Sequence, residues 1–341
     1  MSVDVADAVV AGHICLDIIP DLSGVGGRSE DLVAPGKLVR IGPATVSTGG
    51  AVSNTGLALH RLGTPTHLMG KVGDDALGGM ILDIIRRHGP HLAKGMIVAA
   101  GEASSYTVVI NPPDIDRTFL HCPGANDTFT DADVPYDRLR GTRLFHFGYP
   151  TLMHGMYADG GDALARMLRR VRRQGVAVSL DMSYPDPLSP AGRADWPSIL
   201  RQALPHVDIF LPSLDEMRFM LRDVPAIGDA SPSAPADGAL LSRLSQTLLD
   251  MGVAVVGLKL GAEGLYLRTT CDTARLAAVG GRVIADAKGW AGRELLAPCF
   301  QVRVAGTTGS GDCTIAGMLA AMLHGLLPEA AMRAAVGVGA C

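Results

Sequence analysis

The six cysteines of this 341-residue chain stand apart, at positions 15, 122, 271, 299, 313 and 341, and no two form a C-x-x-C pair. That absence excludes a zinc frame of the usual spacing and a disulfide-stapled secreted fold; reduced thiols in a cytoplasmic protein are expected. An excess of charge of one sign is lacking too. The formal net charge is −4, which gives a nucleic-acid partner no electrostatic footing. No apolar run approaches the ~20 residues needed to span a bilayer. The stretch 1–8, with Asp4 and Asp7, has neither the basic start nor the apolar core of a signal peptide. Aromatic residues are only 4%. Three motifs are also missing: G-x-x-x-x-G-K-[ST], G-x-G-x-x-G after the first strand, and G-x-S-x-G. Their absence argues against a P-loop enzyme, a dinucleotide fold and an α/β-hydrolase elbow.

What is abundant is apolar residues, at 48% against 19% charged, and glycine, at 42 residues. The first implies a large buried core and the second many strand–helix turns. The densest glycine cluster is Gly306-Thr307-Thr308-Gly309-Ser310-Gly311-Asp312, which runs into a helical pattern carried by Ile315, Leu319, Ala320 and Leu323. A helix starting near Ser310 has unpaired N–H groups, the positive end of a dipole and the Asp312 carboxylate in its first turn. That suits a phosphoryl group approached by a hydroxyl. Spacing alone leaves this reading level with a plain Gly-rich turn. A second entrance, Gly49-Gly50-Ala51-Val52-Ser53-Asn54, opens a helix that ends at Gly63, and Asn54 there can both donate and accept.

Along the chain, 8–12 reads as a buried strand closed by glycine, with Asp17 just beyond it. Residues 38–41 and 45–47 alternate around Gly42-Pro43, and 96–100, 106–110 and 118–121 are strand-like. Together they predict a small β lid, from about 33–48 and 96–122, over a larger sheet. From Gly124 onward strands at 144–147, 176–180, 207–211, 253–260 and 300–304 alternate with helices at 157–174, 214–221 and 240–251. The stretch 280–298 reads as an irregular insertion. Alternation of this kind predicts an α/β protein with a mostly parallel, doubly wound sheet flanked by helices, in one domain over 1–341. Asp181 closes one strand and Ser213 another. The run Arg166, Arg169, Arg170, Arg172 and Arg173 is interleaved with Leu164, Met167, Leu168 and Val171, so it reads as the solvated face of a helix. His88 and His91 flank Gly89-Pro90 with no third ligand nearby, and read as surface histidines.

With both glycine elements placed, the chain resembles the ribokinase-like (PfkB) family of carbohydrate kinases. Residues 49–55 are similar to its N-terminal signature and 306–312 to its C-terminal one, usually D-T-x-G-A-G-D. Asp17 and Asp181 match its substrate aspartates, Ser213-Leu214-Asp215-Glu216 its N-x-x-E motif, and Lys259-Leu260-Gly261-Ala262-Glu263-Gly264 its nucleotide-side G-x-x-G. Residues 117–126 resemble the lid-proximal substrate segment. The resemblance implies phosphorylation of a hydroxyl, usually primary, on a sugar or nucleoside, with ATP and Mg²⁺. Asp312 would be the general base, and Gly309, Ser310 and Gly311 would join it in an anion hole. Asp17, Gly49, Gly50, Asn54, Arg117, Asn126 and Asp181 would hold the acceptor. Ser213, Lys259, Gly261, Gly264 and Thr308 would hold the nucleotide, and Glu216 the water shell of Mg²⁺. Many members also bind a monovalent cation such as K⁺ beside the anion hole.

Three departures stand out: Gly306 replaces an aspartate, Ser213 replaces an asparagine, and the sequence stops at Cys341 where the family generally continues. The first two leave open a catalytically weak sugar-binding or regulatory homologue. A nucleoside acceptor is also open, although the scarcity of aromatics favours a sugar. Lid strands expose edges, and a homodimer through the lid would cover them.

Overall fold

The structure is a computed structural model and describes residues 6–25, 35–112, 118–225, 227, 237–303 and 306–341. Strands β1 (Ala8–Gly12), β2 (Cys15–Pro20) and β3 (Ala44–Gly49) precede helix α1 (Ala51–Arg61). Then come β4 (Thr66–Met69), β5 (Lys71–Gly73), α2 (Ala76–His88), β6 (Ile97–Ala99), β7 (Tyr106–Ile110) and β8 (Thr118–Cys122). The alternating part follows: β9 (Leu144–Gly148), α3 (His154–Tyr157), α4 (Asp162–Arg172), β10 (Ala177–Asp181), α5 (Trp196–Ala203), β11 (Ile209–Phe210), α6 (Leu214–Met220), α7 (Gly238–Asp250) and β12 (Val255–Lys259). The chain closes with β13 (Leu265–Thr269), α8 (Thr273–Ala277), α9 (Ala287–Trp290), β14 (Glu294–Ala297), α10 (Ser310–Leu323) and α11 (Pro328–Gly339).

The main sheet has eight strands in the order β14-β13-β12-β11-β10-β9-β1-β4. From β12 to β4 every pairing is parallel, whereas β13 and β14 are antiparallel additions at one edge. Its strands are apolar on both faces because helices cover both. Val9, Phe145, Val178 and Val256 pack toward α4, α5 and α7. Val10, Leu144, Ala177 and Val255 pack toward α1, α10 and α11. The arginine-rich α4 buries Leu164, Met167, Leu168 and Val171 and turns its charges outward, as its spacing predicts.

A second sheet of four strands, β3-β2-β7-β8, forms the lid. Its composition differs from the sequence expectation in three ways. Asp17 does follow the end of β1, but the segment carrying it is itself a lid strand, paired with β3 and β7. Residues 38–41 form no strand. The 97–99 stretch pairs with β5 in a separate two-stranded sheet. At the other end, the expected last strand over 300–304 is not one in its described part, 300–303. The edge is taken instead by β14, inside the stretch expected to be irregular. That edge strand becomes available because Gly264, at φ 110, reverses the chain after β12 and starts an antiparallel meander.

Candidate active site

The carboxyl ends of the parallel strands converge at one edge of the sheet, where open α/β folds place their ligands. Gly12, Gly148, Asp181 and Lys259 end β1, β9, β10 and β12 there, and α10 points its first turn into the same region. Gly309 sits at the N-cap of α10 with φ 80 and no side chain caps the helix. A left-handed cap of this kind favours glycine. The first-turn N–H groups are therefore open to an external anion, apart from that of Ser310, which bonds the Thr307 carbonyl at 3.3 Å.

Asp312, only 3% exposed, lies in that first turn. Asn54 Nδ2 donates to its Oδ2 at 3.0 Å and Thr55 Oγ1 to its Oδ1 at 3.2 Å, both from α1. The two glycine-rich helix entrances thus meet at a single carboxylate. A third donor was not anticipated from the sequence: the Tyr149 hydroxyl lies 2.8 Å from both Asp312 oxygens. Burial, then the negative charges of Asp312 and Asp181, push the Tyr149 phenol well above its usual range, which keeps it protonated and donating.

Two cavities flank this point. One, of ≈ 620 Å³, is lined by Ser213, Glu216, Lys259, Gly261 and Gly311. The other, of ≈ 690 Å³, lies under the lid and is lined by His13, Asp17, Gly50, Asn54, His121 and Thr308. Tyr149, Ser183, Gly309 and Asp312 line both, so they form the wall between them.

Around the lid-side cavity the glycines are there for close approach. A Cβ on Gly49 would meet Asp17 Oδ2 at 2.3 Å, and one on Gly50, whose φ is 86, would meet His13 Nδ1 at 2.5 Å. Asp17 accepts from the Cys15 thiol at 3.3 Å, and burial raises its carboxyl above the ordinary range. His13 is buried and held neutral, its pKa lowered to about 3 by burial and by nearby His121.

Around the other cavity, Ser213 and Glu216 form a capping box on α6. Glu216 N–H donates to Ser213 Oγ at 3.2 Å and Ser213 N–H to Glu216 Oε2 at 2.7 Å. Lys259 Nζ lies 2.6 Å from Asp181 Oδ1 in a buried ion pair, and among the described residues the second oxygen of Asp181 has no hydrogen-bond partner. Burial raises the Asp181 carboxyl, while the carboxylates around Lys259, Asp181 first, hold its ammonium above the usual range.

Several expected site residues are placed elsewhere. Asn126 is fully buried; its amide accepts from Ile14 N–H and donates to the Ile14 and Pro123 carbonyls, which pins the start of β2. Asp181 is 0% exposed and lines neither cavity. Thr308, expected to hold the nucleotide, lines the cavity under the lid and not the other one. Gly264 packs against β14, where a Cβ would meet the Ala297 carbonyl at 2.0 Å. Gly306 is exposed, and among the described residues a Cβ there would meet nothing within 4 Å. Arg117 lies outside the described residues. Tyr149 is the Asp312 partner that the sequence did not single out.

A family described as pfkB family carbohydrate kinase matches residues 5–341, and the chain belongs to that family. It is 26% identical over 314 residues to Fructokinase-2 of Oryza sativa subsp. japonica, covering 90% of this chain and 77% of that protein. In structure it is similar to a fructokinase with bound ATP from Xylella fastidiosa, with a TM-score of 0.71 at 19% identity over 98% of this chain and 92% of that one. It is also similar to a ribokinase II-type protein of E. coli in complex with ATP and Mg²⁺, with a TM-score of 0.69 at 19% identity over 98% and 92%. These structural likenesses carry the ribokinase-like fold. Among the described residues no helix is long and apolar enough to cross a membrane.

Proposed function

We propose that the chain transfers the terminal phosphoryl group of ATP to a hydroxyl of a sugar held under the lid. One observation carries this reading: Asp312 stands in the wall shared by the two cavities, in the first turn of an uncapped helix. A hydroxyl arriving from the lid side meets a carboxylate able to take its proton, and a phosphoryl group from the other side meets backbone N–H groups and a helix dipole. Phosphoryl transfer asks for little more than this positioning and charge stabilisation. Relatives named as fructokinases, and similar structures named with ATP, support the same assignment.

Lys259 and Gly261 line the nucleotide side, and Lys259 would lend its ammonium to the phosphates. The residues present also fit Mg²⁺. Among the described residues no cluster of three or more His, Cys, Asp or Glu forms a dedicated cage, and Glu216 is one of the carboxylates on the cavity wall, where a largely water-coordinated Mg²⁺ uses only one or two. When bound, the ion would neutralise charge on the phosphates. K⁺ beside the α10 entrance belongs to the same proposal. Release of ADP on addition of D-fructose, D-ribose, sugar acids or nucleosides, each with ATP and Mg²⁺, tests the assignment. Turnover with none of them, alongside measurable binding, would favour a sugar-binding homologue.

A second reading has its own observation. Although aromatics are scarce, Phe119, Tyr149, Tyr157 and Tyr184 gather around the lid-side cavity. Their faces suit the flat base of a nucleoside as well as the apolar face of a sugar ring. A homodimer through the lid is proposed as well. The lid's outer strands carry exposed Val46, Phe119 and Leu120, the last 58% exposed.

A further inference from the structure

The Asp312 carboxylate has about four lone-pair positions, and three donors already reach it: Asn54, Thr55 and the Tyr149 hydroxyl, whose single proton lies between both oxygens. A base must accept a hydrogen bond from the hydroxyl it deprotonates, and the donor that lies across both oxygens, the Tyr149 hydroxyl, stands in the way. Asn54 and Thr55 belong to helix α1, which packs on α10, and they are carried by the same rigid frame as Asp312. Tyr149 is different. It lies in the short connection after β9, in a left-handed backbone conformation at φ 65 and ψ 45. A bulky residue is strained there, and such strain is kept only where the surroundings over-determine it. Its ring also lines both cavities.

The geometry points to Tyr149 as a placeholder for the acceptor: its hydroxyl occupies the accepting face of Asp312 until a substrate hydroxyl displaces it, and so keeps water off the base. This rests on the assignment of Asp312 as base. The reaction it suppresses is hydrolysis. A water held against Asp312 would form a bond from its oxygen to the terminal phosphorus, the bond from that phosphorus to the ADP oxygen would break, and the water proton would pass to the Asp312 carboxylate. A phenol in that place does not react, because its ring holds the oxygen on the carboxylate and the group remains protonated. The role is a positioning one, distinct from binding sugar or nucleotide.

The experiment measures ATP hydrolysis with Mg²⁺ and no acceptor, in the wild type, Tyr149→Phe, Tyr149→Gly and Tyr149→Phe/Asp312→Asn. Tyr149→Phe removes only the hydroxyl, and Tyr149→Gly keeps a residue suited to the positive φ should the first variant fold poorly. Acceptor-free hydrolysis is expected to rise about tenfold or more in both single variants, the scale of one hydrogen bond to a charged group, and to vanish in the double variant. A nucleotide-free readout accompanies it: if the acceptor displaces the Tyr149 hydroxyl from Asp312, adding acceptor alone should give a tyrosine ultraviolet difference spectrum that Tyr149→Phe lacks. Hydrolysis at the wild-type level in both single variants, or a wild-type difference spectrum no different from that of Tyr149→Phe, overturns the proposal. Sugar phosphorylation surviving in Asp312→Asn would instead overturn the base assignment beneath it.

Discussion

The Tyr149 hydroxyl bridges both oxygens of Asp312 at 2.8 Å, across the wall between the two cavities. The phenol is held protonated well above its usual range by burial and by Asp312 and Asp181. In the unfolded chain it ionises at roughly pH 10. The stability this group contributes is therefore complete below that pH and is lost as pH rises toward the folded-state value. Tyr149→Phe should lose less unfolding free energy than the wild type between about pH 8 and about pH 11. Urea denaturation at the two pH values checks this, and equal losses would count against the contact.

Lys259 and Asp181 form a buried pair whose carboxylate has no other side-chain donor among the described residues. Removing the cation strands a buried charge, so Lys259→Met should cost roughly 3–5 kcal/mol. Asp181→Asn in the same chain should restore part of the loss. Urea unfolding of the single and double variants reads both effects, and additive losses would show that the pair is not coupled.

Close approach of Gly49 to Asp17 gives a separate prediction. The methyl of Gly49→Ala would fall 2.3 Å from Asp17 Oδ2 and push that side chain from its place at the lid-side cavity. The acceptor KM should rise about tenfold, the scale of a lost hydrogen bond to a charged group, with kcat changing less. Steady-state kinetics on the best acceptor checks it; a fall in kcat at constant KM would place Asp17 elsewhere in the mechanism.

How legible this site was depends on what holds each residue. The entrances at 49–54 and 306–312 could be read locally, because glycines followed by helical periodicity fix both the turn and the dipole. That the two meet at Asp312 is a long-range fact, carried by Asn54 and Thr55 from 257 or more positions away. Ser213 and Glu216 were legible as a site motif, yet their spacing is equally that of a capping box, and the structure shows the cap in full. Asn126 was expected as a ligand contact because 117–126 resembles the family's lid-proximal substrate segment; only the fold reveals that the start of β2 consumes its amide. Tyr149 left no local signal, since its role comes from a left-handed turn between Gly148 and Pro150 that aims it at another element. Strands β13 and β14 were missed because antiparallel edge additions break the βα rhythm that located the others.

The lid supplies a prediction about assembly. Leu120 is exposed on β8, an outer strand of the lid sheet. If two lids pair, Leu120→Lys should shift the protein from dimer to monomer, since a charge placed on an edge strand opposes edge-to-edge association. Sedimentation velocity at micromolar concentration distinguishes the two, and a wild type that is already monomeric would remove the lid dimer from the account.

The central claim is that Asp312 takes the proton of the acceptor hydroxyl, and Asp312→Asn tests it most directly. The amide keeps the shape and stays buried in the first turn of α10, so melting temperature and acceptor binding should change little. The account predicts that kcat for ATP-dependent phosphorylation falls roughly 10²–10⁴-fold, the contribution of a positioned general base. A folded Asp312→Asn protein with near-wild-type kcat would contradict it.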